Sequence, residues 1–343
     1  MTDMPYLNAF LAVYAFAWGA IWGSFLNVVV YRLPRGMSLS HPPSRCPKCS
    51  TRIHARDNVP VFGWLLLKGK CRACAAPIPA RYPGVELLTG LLGLALWLHL
   101  VWHIGASAPI QVVVMQFLLH FFFVANLVAI TFIDIDLTII PHRLTFPGMA
   151  WGLLSALLSP KTGPFTSYHP SVDIVDSVIG LAAGGGVILL IFVGYRLFTG
   201  REGMGLGDAT LLGMIGATLG WQSLLFVLMC SSLQALAVAL LIEGFERVTG
   251  RSVLLRGVWK DEFWESHPLA SPAAPASAAS AESPPDGPTG VGQSQSDVVA
   301  SSEPDEEDFM KKGLPYGPFL ALAAVEYLFF GARFVRWMSG GEF

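Results

Sequence analysis

Two aspartates lie at the ends of long apolar runs, where a charged side chain is costly. Asp134 closes one run at 132–136, and Asp208 ends the glycine-rich stretch 203–208 just before the next run begins. A carboxylate inside a membrane helix costs roughly 2.5–3.5 kcal/mol on insertion scales, so such residues usually face the interior of a helix bundle and belong to a site. We therefore treat Asp134 and Asp208 as the candidate catalytic residues.

Two carboxylates held close together in a poorly hydrated site cannot both ionise at low cost. One of them tends to keep its proton, and the pair titrates as a coupled unit. On an amide, the ionised aspartate would take a proton from an attacking water, and the protonated one would donate to the carbonyl oxygen. Asp134 and Asp208 thus predict peptide hydrolysis.

Other roles remain open for the same two residues. Asp208 could cap a helix that starts at Ala209, and Asp134 could pair with a nearby arginine such as Arg143. Transport of protons or cations across the membrane would also use carboxylates in this position. The residues alone leave these alternatives beside catalysis.

Asp136 lies two positions after Asp134, so either of them could face Asp208. On a continuous helix of about 3.6 residues per turn the two side chains point about 200° apart, and only one can face a given partner. On the other side, Gly205 and Gly207 lack Cβ atoms and allow close backbone packing or positive φ. These glycines would let Asp208 approach a neighbouring helix end.

A second candidate site consists of two C-x-x-C pairs, Cys46 with Cys49 and Cys71 with Cys74, separated by 21 residues. Two such pairs at a spacing of roughly 15–20 residues indicate a tetrahedral zinc site. Four thiolates leave no position for water, so the metal would be structural. Disulfides or redox-active thiols are the alternative, but disulfides are rare in the cytosol. Cys230 lies in an apolar run and is expected to be a packing residue.

The composition is that of a membrane protein. Hydrophobic residues make up 53% of the chain and charged residues 13%, with a mean hydropathy of +0.54, whereas a soluble domain carries about 25% charged residues. Because a helix needs about 20 apolar residues to cross the hydrocarbon, the runs predict an all-α polytopic protein with about eight transmembrane helices. Six full-length runs lie near 7–30, 84–104, 110–133, 172–198, 222–243 and 314–337, and two shorter runs near 143–158 and 208–220.

The distribution of charge predicts the orientation of these helices. Residues 32–81 hold ten of the 22 Lys and Arg residues and a single acid, Asp57, and positively charged loops stay on the cytoplasmic side of a membrane. With eight spans, the cysteine loop, Asp134 and Asp208 would all lie on the cytoplasmic side, and the N-terminus would face the opposite compartment.

The chain is predicted to divide into five segments. Residues 268–308 are rich in Ala, Ser, Pro and acids without periodicity, and we expect them to be disordered. The segments are a first transmembrane helix (1–31), a zinc-binding loop domain (32–83), a transmembrane core (84–244), a cytoplasmic loop (245–313), and a last transmembrane helix with its tail (314–343).

These elements, in this order, resemble the type IV prepilin peptidase family. The resemblance rests on residues 23–34, both cysteine pairs, 132–136 with the following Ile140 and Pro141, and 203–208, and it covers nearly the whole chain. It implies an aspartic protease of the bacterial inner membrane, cleaving the leaders of type IV prepilins and type II secretion pseudopilins at the cytoplasmic face. The family's two catalytic aspartates match Asp134 and Asp208.

Many members of that family with a cysteine-bearing N-terminal region also look bifunctional: they methylate the new N-terminal amine, with S-adenosylmethionine as donor. The resemblance implies this activity for residues 23–34 and 32–83, with Asn27 and Arg32 as polar candidates. The chain has no glycine-rich nucleotide-binding fingerprint, so the donor's binding residues are unknown. The expected partners are prepilin and pseudopilin substrates and the lipid bilayer, with no nucleic acid.

Two other functions compete with proteolysis. A zinc-stabilised transporter could use Asp134 and Asp208 as a proton relay, but His120, Asn126 and Glu326 are too scattered along the helices to outline a path. A non-catalytic scaffold that docks secretion components through the zinc loop would tolerate the loss of both aspartates.

Overall fold

A computed structural model describes residues 5–104, 108–159, 172–199, 206–250 and 315–338. Within these ranges the chain is almost entirely helical, with a short 3-10 helix at Ala55–Asp57 and no β-strand beyond two isolated bridges. The α-helices are α1 (Pro5–Arg32), α2 (Phe62–Leu66), α3 (Arg81–Ile104), α4 (Ile110–Leu137), α5 (His142–Leu158), α6 (Ile174–Thr199), α7 (Leu206–Leu219), α8 (Gln222–Thr249) and α9 (Gly317–Met338).

The predicted all-α membrane architecture is confirmed. Each of the eight apolar runs forms one helix, and the short α2 belongs to the loop between α1 and α3. By length and composition, α1, α3, α4, α8 and α9 can cross a membrane, and shorter apolar helical stretches lie at Ile174–Leu190 in α6 and at Leu206–Leu219, which is α7. Among the described residues, five of the eight predicted segments thus have the length and composition of a membrane span.

The helices that carry the two candidate aspartates lie in the interior of the bundle. Fourteen residues of α4 are buried, and in α7 every residue from 209 to 219 except Thr210 is buried. α7 can be enclosed on all sides because many of its residues are small or apolar. Asp134 and Asp208 are thus held by interior elements.

Glycines allow two pairs of helices to touch through their backbones. Gly180 of α6 and Gly216 of α7 face each other so closely that a Cβ on either would overlap the other's backbone. Between α1 and α3, a Cβ on Gly19 would lie 2.5 Å from the Thr89 carbonyl oxygen. Small residues promote helix association in membranes in this way, and the contacts fix α7 against α6 and α1 against α3.

The end of α4 differs from the sequence prediction. The apolar run stops at 133, yet the helix continues to Leu137 and includes two further apolar residues, at 135 and 137. Thr138 then ends the helix in a left-handed conformation (φ 53°), with its N–H donating to the Asp134 carbonyl over 2.8 Å. Asp134 and Asp136 therefore stand on one continuous helix rather than in a loop.

Two other predicted boundaries shift in the structure. α3 begins at Arg81 rather than near 84, since Pro83 is tolerated in the first turn of a helix. The loop expected from 245 begins later, because α8 continues to Thr249. The expected disordered stretch 268–308 lies outside the described residues.

Candidate active site

Asp134 is buried in the last turn of α4, with 5% of its surface exposed. Its Oδ2 accepts a hydrogen bond of 3.0 Å from the backbone N–H of Gly317, the first residue of α9. A buried carboxylate needs donors to replace its lost hydration, and the first N–H groups of a helix have no partner within the helix. The last helix of the chain thus supplies a donor to one of the candidate catalytic residues.

Asp208 lies in the first turn of α7, and contacts through Ile140 place this turn beside the end of α4, near Asp134. Ile140, in the loop after α4, lies between the starts of α7 and α9. A Cβ on Gly207 would lie 2.8 Å from Ile140 Cβ, and a Cβ on Gly317 would lie 3.2 Å from Ile140 Cδ1. The structure therefore brings the two predicted aspartates together where three helix ends meet.

The glycine motif before Asp208 is only partly within the described residues. Gly207 packs directly against Ile140, and this contact leaves no room for a side chain at position 207. Gly203 and Gly205 lie outside the described part of the chain. The predicted role of glycine in close approach is thus observed for Gly207.

Asp136 faces away from the pair and is bound by Arg81, the first residue of α3. The Arg81 guanidinium donates two hydrogen bonds to the Asp136 carboxylate, of 2.7 Å to Oδ1 and 2.6 Å to Oδ2. It also lies over the ring of Phe132, 5.2 Å from the centroid. The two acids of α4 have different partners, as their angular separation of about 200° requires, and Asp134 is the one near Asp208.

Helix capping by Asp208 and pairing of Asp134 with Arg143, the two structural roles left open by the sequence, do not fit this geometry. Asp208 lies inside α7, which already includes Leu206, so Asp208 is not the N-cap residue. Arg143 is exposed, and the donor to Asp134 among the described residues is the backbone of Gly317. Neither capping nor pairing with arginine accounts for both carboxylates lying together.

Two neighbouring carboxylates, one buried and one half-buried, can supply an acid and a base to one reaction. Repulsion and poor hydration favour the state in which the pair holds a single proton. Aspartic proteases use such a pair to add water to an amide. The arrangement of Asp134 and Asp208 is suited to this chemistry.

The four predicted metal ligands form a cluster in the loop between α1 and α3. The Sγ atoms of Cys46, Cys49, Cys71 and Cys74 all lie within 4.8 Å of one another, and those of Cys46 and Cys74 are 3.7 Å apart. In a tetrahedron with Zn–S bonds of about 2.3 Å, the sulfurs are about 3.8 Å apart. All four are free cysteines, so the cluster has the composition and size of a site that can bind a metal.

The two cysteine pairs have the same backbone conformation. Ser50 N–H donates to the Cys46 carbonyl over 2.8 Å, and Ala75 N–H donates to the Cys71 carbonyl over 2.9 Å. Ser50 and Ala75 both adopt positive φ, 57° and 56°, and each turns the chain just after the second cysteine of its pair. Two equivalent turns therefore direct four sulfurs toward one point.

The cysteines differ in how readily they lose a proton. A hydrogen bond with the Thr51 side chain lowers the pKa of the Cys49 thiol to about 6, and burial raises the pKa of the Cys46 thiol to about 12. Because the thiolate is the form that binds a metal, binding at Cys46 requires the release of its proton. Metal binding at this cluster is therefore expected to depend on pH.

One polar contact anchors the cysteine loop to α3, and another joins two residues inside the loop. The buried Glu86 carboxylate of α3 accepts a hydrogen bond of 2.7 Å from the N–H of Val61, which has a φ of 62°. Positive φ is rare for a β-branched residue, so this contact fixes a strained turn at the start of α2. Arg72 pairs with Asp57 and lowers the pKa of its carboxyl group.

The two polar residues suggested for methyl transfer bind backbone groups. Asn27 Nδ2 donates to the Tyr82 carbonyl over 3.1 Å. Arg32 donates to the carbonyls of Ser38 and Pro42, over 2.9 Å and 2.8 Å. In the structure these side chains tie α1 to α3 and to the cysteine loop.

Sequence reasoning did not identify Gly317, Arg81 or Glu86. Glu86 carries a usable signal, since it is an acid inside the apolar run 84–104. Arg81 is one of ten basic residues between 32 and 81, and nothing local distinguishes it from the others. Gly317 lies near the start of the last apolar run, and its contact depends entirely on how α9 packs.

Comparisons with known proteins cover both sites. The profile of the bacterial peptidase A24 N-terminal domain matches residues 17–100, and the profile of the type IV leader peptidase family matches residues 121–240. The first range contains all four clustered cysteines, and the second contains Asp134 and Asp208. No solved structure matches this chain.

Curated relatives match over most of their length. A Myxococcus xanthus protein (strain DK1622) is 33% identical, with alignment over 97% of this chain and 93% of its own. An Aeromonas hydrophila protein is 40% identical over 64% of this chain and 76% of its own, and a Neisseria gonorrhoeae protein is 33% identical over 78% of this chain and 100% of its own. All three are named prepilin leader peptidase/N-methyltransferase.

Proposed function

This chain belongs to the type IV leader peptidase family, and we propose that it is an aspartic endopeptidase that removes the leader peptides of type IV prepilins and type II secretion pseudopilins. Asp134 and Asp208 are its proposed catalytic residues. The observation that carries this proposal is that contacts through Ile140 hold the start of α7, with Asp208, beside the end of α4, with Asp134, while Arg81 binds Asp136.

In the proposed mechanism one aspartate is ionised and the other is protonated. The ionised carboxylate accepts a proton from water as the water oxygen attacks the peptide carbonyl, and the protonated carboxyl donates its proton to the carbonyl oxygen. The neutral tetrahedral intermediate then collapses and its C–N bond breaks. The leaving amine takes the proton from the first aspartate, while the second recovers a proton from an intermediate hydroxyl, so both return to their initial state.

The position of the pair suits a substrate with an apolar helix. Asp134 ends one apolar helix and Asp208 begins another, so a substrate helix can lie among the enzyme's helices while its cleavage point lies at their boundary. The basic segment 32–81 supports a location of this boundary on the cytoplasmic side of a bacterial inner membrane. We assign 84–244 to the transmembrane peptidase core and 314–343 to the last transmembrane helix with its tail, and the cytoplasmic loop between them begins after α8 ends at Thr249.

A second proposed activity is methylation of the new N-terminal amine, with S-adenosylmethionine supplying the methyl group. The support is the name shared by the relatives, and the proposed region is residues 32–83 with the adjoining end of α1. Asn27 and Arg32 are not assigned to the donor, because both side chains bind backbone carbonyls.

The four clustered cysteines are proposed to bind one structural zinc ion. Their sulfurs would occupy all four tetrahedral positions and leave none for water or substrate. Between residues 33 and 80, only Cys46 and Ala76 are buried hydrophobic residues. A metal would therefore stabilise a segment whose apolar core is too small to do so.

Incubation of a purified prepilin with the purified protein in detergent tests the proposal. Mass spectrometry is expected to detect a product without its leader, and addition of S-adenosylmethionine should add the mass of one methyl group. An intact prepilin after incubation with folded enzyme would contradict the peptidase function. A product that is cleaved but not methylated would contradict the proposed methylation and leave the peptidase function standing.

A further inference from the structure

The start of α9 completes the surroundings of Asp134, although it lies outside the region 121–240 that matches the peptidase profile. Gly317 N–H donates to Asp134 Oδ2 over 3.0 Å in a buried contact between residues 183 positions apart. A hydrogen bond to a charged group is stronger than one between neutral groups. The contact therefore constrains the orientation of the Asp134 carboxylate.

Position 317 requires glycine because there is no space for a side chain. A Cβ there would lie 2.6 Å from Asp134 Oδ2 and 3.2 Å from both Asp134 Cγ and Ile140 Cδ1. Gly317 is absent from the glycines with positive φ among the described residues, so the requirement is one of space rather than backbone conformation. Any side chain at this position must displace the carboxylate or the start of α9.

The residue before Gly317 anchors this segment to α8. The Tyr316 hydroxyl lies 2.7 Å from Ser231 Oγ and 3.2 Å from Ser232 Oγ. These bonds hold the chain at the point where it enters α9. The position of the Gly317 N–H is thus set by the contacts of Tyr316 with α8 as well as by the geometry of α9.

We propose that Gly317 is a positioning residue for Asp134, and this inference rests on the proposed peptidase function. Its N–H binds Oδ2 and leaves Oδ1 as the oxygen that acts on water. An N–H donor stabilises the ionised form of a carboxylate, so the bond favours Asp134 as the aspartate that accepts the proton from water. Asp208 lies in the first turn of α7. Among the described residues, its carboxylate has only the field of the helix N-terminus, which stabilises the ionised form less than a direct N–H donor does.

Kinetics of prepilin cleavage by Gly317→Ala test this role. We expect kcat to fall roughly 10- to 100-fold, because small displacements of catalytic groups have effects of this size. KM should stay near the wild-type value, since no substrate-binding surface changes. Gly186→Ala is the matched control, because a Cβ on Gly186 of α6 meets no atom within 4 Å, and it should keep the wild-type kcat and KM.

A second variant removes the anchor without adding atoms. Tyr316→Phe should lower kcat by a smaller factor than Gly317→Ala, again with little change in KM. Its control is Tyr327→Phe, because the buried Tyr327 hydroxyl has no hydrogen-bond partner among the described residues. Tyr327→Phe should keep the wild-type kcat.

The outcomes separate this inference from the proposed function. A folded Gly317→Ala enzyme with wild-type kcat would overturn the inference and leave the peptidase function intact. If Gly317→Ala does not fold, wild-type kcat in Tyr316→Phe would overturn it instead. A folded wild-type protein that cleaves no prepilin would overturn the proposed function, and this inference with it.

Discussion

Arg81 and Asp136 form a bidentate ion pair between the start of α3 and the last turn of α4, two residues beyond Asp134. The side chains are 14% and 27% exposed, so the pair is largely shielded from water. It ties the start of α3, where the cysteine loop ends, to the helix that carries Asp134. It also makes Asp136 a structural residue in this account.

Asp136→Asn is therefore expected to weaken the fold more than the chemistry. Loss of the carboxylate leaves the Arg81 guanidinium without its charged partner, and the free energy of unfolding should fall by about 1–3 kcal/mol. Thermal unfolding in detergent measures this change, and prepilin cleavage should largely persist. A folded Asp136→Asn enzyme without cleavage activity would instead place Asp136 in the catalytic pair.

The cysteine cluster predicts one zinc ion per chain, bound only through the cysteines of the two pairs. Metal analysis of the purified protein should find one equivalent of zinc in the wild type and much less in Cys46→Ser. A closed four-thiolate site loses affinity for zinc when any one of its ligands is removed. Limited proteolysis should then cut the loop between α1 and α3 faster. Cys230→Ser, in α8, is the control and should keep its metal, and a metal-free wild type would refute the assignment.

The backbone contact between α6 and α7 predicts a strong effect of one added methyl group. Gly216→Ala should lower the free energy of unfolding by about 1–3 kcal/mol, because overpacking forces backbone shifts. Thermal unfolding measures the effect, with Gly186→Ala of α6 as the control in open space. Equal stability of the two variants would mean that α6 and α7 do not pack as described.

Reporter fusions test the orientation of the helices in the membrane. Green fluorescent protein inserted near residue 285 should fluoresce, because this loop is assigned to the cytoplasm. Alkaline phosphatase inserted near residue 165 should be active, because with eight spans this segment between the fourth and fifth would face the same side as the N-terminus, and the phosphatase needs an oxidising compartment. The reverse pattern would place Asp134 and Asp208 on the outer face.

The helices and the cysteine site are largely predictable from the sequence because they depend on local features. Eight apolar runs give eight helices, since apolar length decides membrane insertion. The spacing of the four cysteines likewise predicts the cluster that their sulfurs form. The end of α4 is less predictable, because the apolar run ends at 133 while the helix uses residues up to Leu137.

The surroundings of the aspartates depend on packing between distant segments. Arg81 pairs with Asp136 only because α3 lies against the end of α4. In the sequence it is one of ten basic residues between 32 and 81. Gly317 reaches Asp134 across 183 positions, and no local pattern encodes that contact. Sequence can therefore nominate Asp134 and Asp208, whereas their partners require the fold.

The central claim is tested most directly by prepilin cleavage with Asp134→Asn and Asp208→Asn, each checked for folding and for wild-type metal content. Asn keeps the size of Asp but can neither accept nor donate the proton in the proposed steps. We expect each variant to lose at least about a thousandfold in kcat, while Asp136→Asn remains active under the same conditions. Undiminished cleavage by either Asp134→Asn or Asp208→Asn would contradict the proposed catalytic pair.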